Sequence, residues 1–386
     1  MIYRELNGND VSALGFGTMR LPMTEDGHID EAKTSDMIKL AIDNGVNYFD
    51  TAYPYHGGEA ESVLGRILKQ YPRDSYYLAT KYPGHQIAES FNPAETFEEQ
   101  LAKCGVNYFD YYLLHNVYEN SIDTYMDSRW GIVEYFKEQK KLGRIRKLGF
   151  SIHGSLEIIR KFLDYCGKDM DFCQIQLNYL DWTLQKGKEK YELLTEYGLP
   201  IIVMEPVRGG KLAKLSDENE ALLRKLNPDA STASWAFPFL QGLPNVKVIL
   251  SGMSDEEQVR DNLKTFELAK SVSDEENAVL MKIADDIKNT VPCTACRYCC
   301  DDCPQGIDIP LMMDVYNDLS FSMEIGVAMR LEGFPEDKQP SACINCGKCA
   351  RLCPQSINIP EYMKALDQML GKIPKWVDIC RQRDEA

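Results

Sequence analysis

The chain has 386 residues, 44% of them apolar and 26% charged, with a net charge of −16; that length suits two domains, or one large barrel plus a small module, and buries an ample core. The acidic balance argues against nucleic acid or an anionic membrane surface as the main partner, since both select a basic footprint. Met1-Ile2-Tyr3-Arg4-Glu5 lacks the basic-then-apolar layout of a signal peptide, and no stretch approaches the roughly 18 uncharged apolar residues of a membrane span, so a cytoplasmic protein with no membrane contact is expected.

Asn7-Gly8 opens the chain as a turn between two short strands. Apolar runs then alternate with amphipathic stretches. Strands are expected over 13–17, 46–49, 76–81, 111–115, 145–151, 172–177, 201–204 and 246–250. Helices are expected between them, among others over 33–44, 59–70, 122–142 and 186–197. Eight strand–helix units describe an α/β fold, a (β/α)8 TIM barrel, here over residues 1–290. The rival is a doubly wound open sheet. It wants a glycine-rich dinucleotide loop after the first strand, and Gly15-Phe16-Gly17-Thr18-Met19 lacks the third glycine.

Chemistry in such a barrel sits at the C-terminal ends of the strands. Asp50, Lys81 and His115 fall at three successive ends, and Tyr55 lies on the loop after Asp50. Each alone has an ordinary explanation: a turn cap, a snorkelling lysine, a satisfied core histidine, one of 21 tyrosines. Four such groups at neighbouring strand ends read together as a catalytic site.

Of 13 cysteines, Cys104, Cys166 and Cys173 are scattered and read as small buried hydrophobes. The others fall between Cys293 and Cys380. Cys293, Cys296, Cys299 and Cys303-Pro304 form a C-x2-C-x2-C-x3-C-P run, and Cys343, Cys346, Cys349 and Cys353-Pro354 repeat it. In two-cluster ferredoxins the first three cysteines wrap one corner of a cubane and the fourth ligates the other cluster. One [4Fe–4S] cluster is therefore assigned to Cys293, Cys296, Cys299 and Cys353, and the second to Cys343, Cys346, Cys349 and Cys303. Zinc sites would instead favour paired C-x2-C dyads. Cys300 and Cys380 lie outside the pattern. The repeat runs on: Cys303-Pro-Gln-Gly-Ile-Asp-Ile-Pro310 matches Cys353-Pro-Gln-Ser-Ile-Asn-Ile-Pro360. Helical spacing follows each, with Leu311, Val315 and Leu319 in one and Met363, Leu366 and Met369 in the other. With no hairpin signal between Cys303 and Cys343, residues 291–386 are expected to form a small C-terminal all-helical two-cluster ferredoxin domain. It resembles the helical ferredoxin domains of succinate dehydrogenase and heterodisulfide reductase subunits.

The barrel segments carry a second resemblance. Phe49-Asp50-Thr-Ala-Tyr-Pro-Tyr55, Ala79-Thr-Lys81 and Leu113-Leu-His115-Asn116 resemble, in order, the tetrad segments of the aldo-keto reductases. Gly149-Phe-Ser-Ile-His153 and Gln174-Ile-Gln-Leu-Asn178 resemble that family's nicotinamide-carboxamide segments. The whole chain is similar to bacterial and archaeal aldo-keto reductases with a C-terminal ferredoxin extension. The resemblance implies an oxidoreductase acting on a small-molecule carbonyl or alcohol with NAD(P)(H). Tyr55 would be the general acid. Lys81 would lower its pKa by stabilising phenolate, Asp50 would hold Lys81 charged, and His115 would orient the carbonyl oxygen. Ser151 and Gln174 would bind the carboxamide. Met204 stands where the family stacks a tyrosine, and Gly252 and Gln258 stand where it offers cations to a 2′-phosphate, with Asn262 further along the same segment. NADP preference is accordingly not expected. Gly209 and Gly210 would let backbone N–H groups approach a pyrophosphate, with Arg208 as a phosphate partner.

A nicotinamide exchanges two electrons and each cluster one. Coupling them calls for a flavin or a substrate radical, or for a redox protein partner docking on the clusters. The expectation is carbonyl redox chemistry at the tetrad, coupled to electron transfer through two [4Fe–4S] clusters. The alternatives are a non-catalytic electron-transfer or partner-docking subunit, and a reductase with purely structural clusters.

Overall fold

The computed structural model describes residues 1–84, 92–119, 121–287, 291, 293, 298–321, 323–353 and 357–384. The chain divides into two compact units, Met1–Met281 and Lys282–Ala386, the division falling within the helix Asp274–Ile287.

The first unit begins with strands β1 (Tyr3–Leu6) and β2 (Asn9–Ser12), paired antiparallel. Asn7 and Gly8 both take positive φ, 54° and 88°, which is what a two-residue hairpin turn with the twist of its strands requires. Eight further strands follow: β3 (Leu14–Gly17), β4 (Tyr48–Asp50), β5 (Tyr77–Tyr82), β6 (Phe109–Val117), β7 (Ile145–Ile152), β8 (Phe172–Gln176), β9 (Ile201–Met204) and β10 (Val246–Gly252). They close into an all-parallel barrel in the order β10-β3-β4-β5-β6-β7-β8-β9, as the alternating pattern predicted. Tyr48, Ala79, Tyr111, Leu113, Phe172, Ile202, Val248 and Leu250 share one buried cluster, and Leu6 and Val11 of the hairpin join it. The hairpin is therefore held by apolar burial against strand side chains, reinforced by the Tyr111 hydroxyl donating to the Leu6 carbonyl at 3.2 Å. Gly15 is needed there: a Cβ would come within 2.6 Å of the Leu250 side chain.

The helix expected over 122–142 is two helices, Ile122–Met126 and Ile132–Lys141. Gly131 lies between them at φ 57°, a conformation no right-handed helix continues through. The apolar spacing holds on each side, but the break depends on backbone geometry that the spacing does not carry.

The second unit is helical, with Ile309–Phe321, Ile325–Glu332 and Ile359–Leu370 as its longer described elements before Trp376–Asp384. Met312, Val315 and Leu319 pack with Met363 and Leu366 in one buried core. The sequence repeat is also a structural one: Ile309 N donates to the Ile307 carbonyl at 2.9 Å, and Ile359 N to the Ile357 carbonyl at 2.9 Å. Among the described residues no helix is long and apolar enough to cross a membrane.

Candidate functional site

Strand register sets the site. Gly17 pairs with Asp50 and Asp50 with Ala79, so Lys81, two residues further along β5, projects from the same face just beyond the end of β4. The Lys81 ammonium donates to Asp50 Oδ1 at 2.6 Å and to the Thr51 carbonyl at 2.8 Å, and lies 3.4 Å from the Tyr55 hydroxyl. Its three donors are thus met by three acceptors, with both charged side chains almost wholly buried. Burial alone would lower the Lys81 pKa, but Asp50 and Tyr55 together hold it above its ordinary value. Burial pushes the Tyr55 phenol up, and the Lys81 ammonium offsets only part of this. The lowering expected from Lys81 is therefore present but smaller than the opposing effect of burial.

Tyr55 is held by an unusual turn. His56, Gly57 and Gly58 all have positive φ, at 52°, 64° and 92°. The His56 imidazole reaches back to the loop after β3, with Nε2 3.3 Å from Leu21 N and 3.1 Å from the Thr18 carbonyl. His115 lies on β6 where the pairing with β7 shifts between Leu114 and Val117; such an irregularity re-aims a side chain at a strand end. Its ring stands edge-on to Tyr55, with centroids 6.2 Å apart at 89°. The Tyr125 hydroxyl donates to the His115 carbonyl.

Sequence reading did not find the support behind Lys81. Gln100 Nε2 donates to the Lys81 carbonyl at 3.0 Å and to Glu61 Oε1 at 2.6 Å. Thr80 donates to the same Glu61 oxygen at 2.5 Å, and Tyr112 donates to Gln100 Oε1 at 2.6 Å. The whole network is buried, and burial raises the Glu61 carboxyl. Nothing in residue spacing marks these four as partners.

Ser151 and Gln174 are register partners on β7 and β8, each 1% exposed. Ser151 Oγ and Gln174 Oε1 have no hydrogen-bond partner among the described residues. Leaving such atoms unmet costs about 1–3 kcal/mol each, so the pair fits a ligand amide that offers both a donor and an acceptor, as a nicotinamide carboxamide does.

The remaining predicted residues spread round the same rim. Met204 ends β9 opposite Gln176 and is half-buried. Gly252 ends β10 opposite Gly17, and a Cβ there would meet the aliphatic stem of Arg20 at 3.4 Å. Arg20 was not singled out in the sequence; it pairs with Glu205 at 3.5 Å. The Gln258 side chain donates to Asp255 at 2.7 Å and accepts from Ser254 N at 3.0 Å. Asn262 donates to Ser251 Oγ at 2.9 Å. Gly209 and Gly210 take φ 63° and 91°. Arg208 is wholly buried and its guanidinium faces Asp181 at 2.9 Å; Gln176 and Asn178 donate to the second Asp181 oxygen at 2.9 and 2.6 Å.

In the second unit, Cys303, Cys343, Cys346 and Cys349 line one pocket, together with Ile307, Ile309, Gly347 and Met363. The four thiols that the repeat assigns to one cluster thus surround a common space, with Cys303 contributed from the other run. Gly347, at φ 69°, closes the loop between Cys346 and Cys349. Cys299 lies beside Cys293 and Cys300. Cys353 is half-buried against the helical core. Cys296 and Pro354 lie outside the described residues, as does the Cys380 side chain. Among the described residues no group of three Cys, His, Asp or Glu side chains is arranged to hold a single metal ion.

A closed parallel barrel with an ion-paired lysine beside a tyrosine on the loop after β4 is followed along the chain by a cysteine-rich helical module. Residues 13–285 match the aldo/keto reductase family and residues 292–358 a 4Fe-4S dicluster domain; the chain belongs to the aldo/keto reductase family and carries a ferredoxin-type iron–sulfur domain at its C-terminus. It is 29% identical over 214 residues to a probable aldo-keto reductase 1 of Glycine max, a match covering 53% of this chain and 58% of that protein. It is 23% identical over 323 residues to the NADH-specific methylglyoxal reductase of Escherichia coli, covering 72% of this chain and 96% of that one. The structure resembles that of aldo-keto reductase AKR11C1 from Bacillus halodurans in its holo form, with a TM-score of 0.60 at 27% identity, over 73% of this chain and 96% of that one.

Proposed function

We propose that the barrel, over residues 1–290, reduces a small-molecule carbonyl or oxidises the matching alcohol at Tyr55. The module over 291–386 would hold two [4Fe–4S] clusters that exchange electrons with a redox protein partner. One observation carries the barrel reading: a buried ammonium, Lys81, 2.6 Å from Asp50 and 3.4 Å from the Tyr55 hydroxyl. Bound NAD(P)H supplies hydride; this chain's residues bind, orient and move the proton. Tyr55 gives its proton to the oxygen that gains charge. The phenolate left behind faces Lys81, so the ammonium stabilises the product of proton transfer even though burial holds the resting phenol up. Asp50 keeps Lys81 protonated. His115, edge-on to Tyr55, orients the carbonyl oxygen. Ser151 and Gln174 take the carboxamide and so fix which nicotinamide face points inward.

Met204 lines the rim beside which a nicotinamide ring would be held, and Gly209 and Gly210 would let backbone N–H groups approach its phosphates. Arg208, buried against Asp181, serves this segment by holding its loop. Gly252, Gln258 and Asn262 offer no charge to a 2′-phosphate, which supports NADH use; the name of the E. coli relative points the same way. Cys303 lining one pocket with Cys343, Cys346 and Cys349 supports crossed ligation, with Cys293, Cys296, Cys299 and Cys353 holding the other cluster. A flavin remains the simplest agent for splitting hydride into single electrons. The test is anaerobic purification, with iron, sulfide and flavin analysis, then dinucleotide-dependent reduction of methylglyoxal and other small carbonyls by wild type and Tyr55→Phe. Turnover that survives Tyr55→Phe removes the tetrad from the mechanism.

A further inference from the structure

Charge is distributed unevenly in the cluster module. Within residues 341–360 the charged side chains are Lys348 and Arg351, and there is no carboxylate, in a chain whose net charge is −16. The matching stretch of the first run, 291–310, holds Arg297 against Asp301, Asp302 and Asp308. Lys348 and Arg351 lie three residues apart on the short helix Lys348–Leu352 and are both exposed. Neither pairs with a carboxylate among the described residues. A third cation comes from another segment. Lys338 Nζ donates at 2.6 Å to the carbonyl of Gln305, which lines the pocket of Cys303, Cys343, Cys346 and Cys349. The carboxylate it pairs with, Asp337, lies 3.9 Å away and is itself largely exposed. At the same rim, Ile344 is 58% exposed and Leu352 39%, and Cys346 is exposed.

We propose that this rim is the docking face for an acidic one-electron carrier protein, and that the thiol-lined pocket beneath it is where electrons pass between carrier and chain. The proposal rests on the reading that Cys303, Cys343, Cys346 and Cys349 hold a cluster. The charges select the partner. An acidic protein is repelled by the net field of the molecule and attracted most where cations lack a paired carboxylate, as Lys348 and Arg351 do, so the field steers it to this rim and orients it there. Ile344 and Leu352 supply the apolar centre that such a contact needs inside a charged border. Cys346, being exposed, brings the ligand shell to the contact surface. Each encounter moves one electron: the carrier loses what the chain gains, or the reverse, and no proton or bond is transferred.

The test uses the full chain under anaerobic conditions, with iron, sulfide and visible absorbance matched between wild type and Lys348→Glu/Arg351→Glu. Reduced flavodoxin is the probe, since it is acidic, carries single electrons and shows a distinct semiquinone absorbance. Stopped-flow mixing should give a second-order rate constant that falls steeply with added salt. The double variant should be slower at low salt by roughly tenfold or more, and flavodoxin binding, measured by calorimetry, should weaken in parallel. Methyl viologen radical, a small cation, should reduce the variant at least as fast as wild type. A flavodoxin rate that ignores the charge reversal, or rises with salt, would overturn the proposal. So would faster exchange with basic cytochrome c than with flavodoxin, or a wild-type dimer that the double variant dissociates, because the face would then belong to another partner or a second copy. Wild-type protein lacking iron and sulfide would instead overturn the cluster reading beneath it.

Discussion

Lys81→Met removes the ammonium and leaves Asp50, 2% exposed, as a buried carboxylate without its cation. In the native chain the two charges stand 2.6 Å apart with side-chain exposures of 1% and 3%, so water screens neither. Breaking a buried pair by removing one member costs about 3–5 kcal/mol. At roughly 2–4 °C per kcal/mol for a large domain, the barrel's thermal midpoint should fall by roughly 6–20 °C. The loss should also depend on pH. Burial pushes the Asp50 carboxyl up and Lys81 holds it down, so without Lys81 its folded pKa rises further above the unfolded value. A raised group contributes stability at low pH that is lost as pH climbs through its folded pKa. The deficit against wild type should therefore shrink as the pH is lowered through that folded pKa. Asp50→Asn in the Lys81→Met background removes the stranded charge and should restore most of the midpoint, with carbonyl reduction still absent. Anaerobic thermal scans at several pH values, paired with turnover, make the measurement. A single variant as stable as wild type and flat with pH, or a double variant no better than the single, would show that the pair is not the strut described.

Other outcomes follow from the same geometry. Tyr55→Phe should cut turnover by about 10²–10⁴-fold, the usual range for a lost general acid, with dinucleotide affinity, read by fluorescence titration, nearly unchanged. Ser151→Ala should weaken dinucleotide binding, because it removes one of the two unmet polar atoms at the β7–β8 ends. Anaerobic protein should carry about eight iron and eight sulfide. Cys303→Ala should reduce each towards about four, with loss of the cluster whose other ligands are Cys343, Cys346 and Cys349; loss of the neighbouring cluster instead would refute crossed ligation. NADPH should be favoured over NADH by far less than a hundredfold, since Gly252 and Gln258 cannot form charge-assisted bonds to a phosphate. A larger preference, abolished by Arg20→Ala, would show that the arginine beside Gly252 supplies the missing cation.

The eight barrel strands were legible because each is a short apolar run between amphipathic helices, a pattern set by burial on both faces of a parallel sheet. The Asn7-Gly8 hairpin was legible because few dipeptides accept two positive φ angles in succession. That Asp50, Tyr55, Lys81 and His115 would lie close together was visible for a simpler reason: Asp50, Lys81 and His115 fall at three neighbouring strand ends, which could be counted, and Tyr55 lies on the loop after the first. Contacts between distant segments were not legible. The Glu61–Thr80–Gln100–Tyr112 network joins two helices to two strands, and no local pattern announces a buried carboxyl accepting from a threonine and a glutamine. Arg208 beside two glycines looks like a phosphate ligand until the fold brings Asp181 to 2.9 Å from it. The irregularity that re-aims His115 depends on how β6 and β7 pair, and the break at Gly131 on one left-handed residue.

The chemistry proposed for the barrel is tested most directly by following the hydrogen itself. Wild-type protein should be incubated anaerobically with a reduced nicotinamide dinucleotide, deuterated at the transferable C4 position, and a carbonyl that it turns over. The product should carry deuterium on the former carbonyl carbon, and Tyr55→Phe should form that product at least a hundredfold more slowly. Turnover with the label lost to water, at a rate that Tyr55→Phe leaves unchanged, would contradict hydride delivery at the Tyr55–Lys81 site.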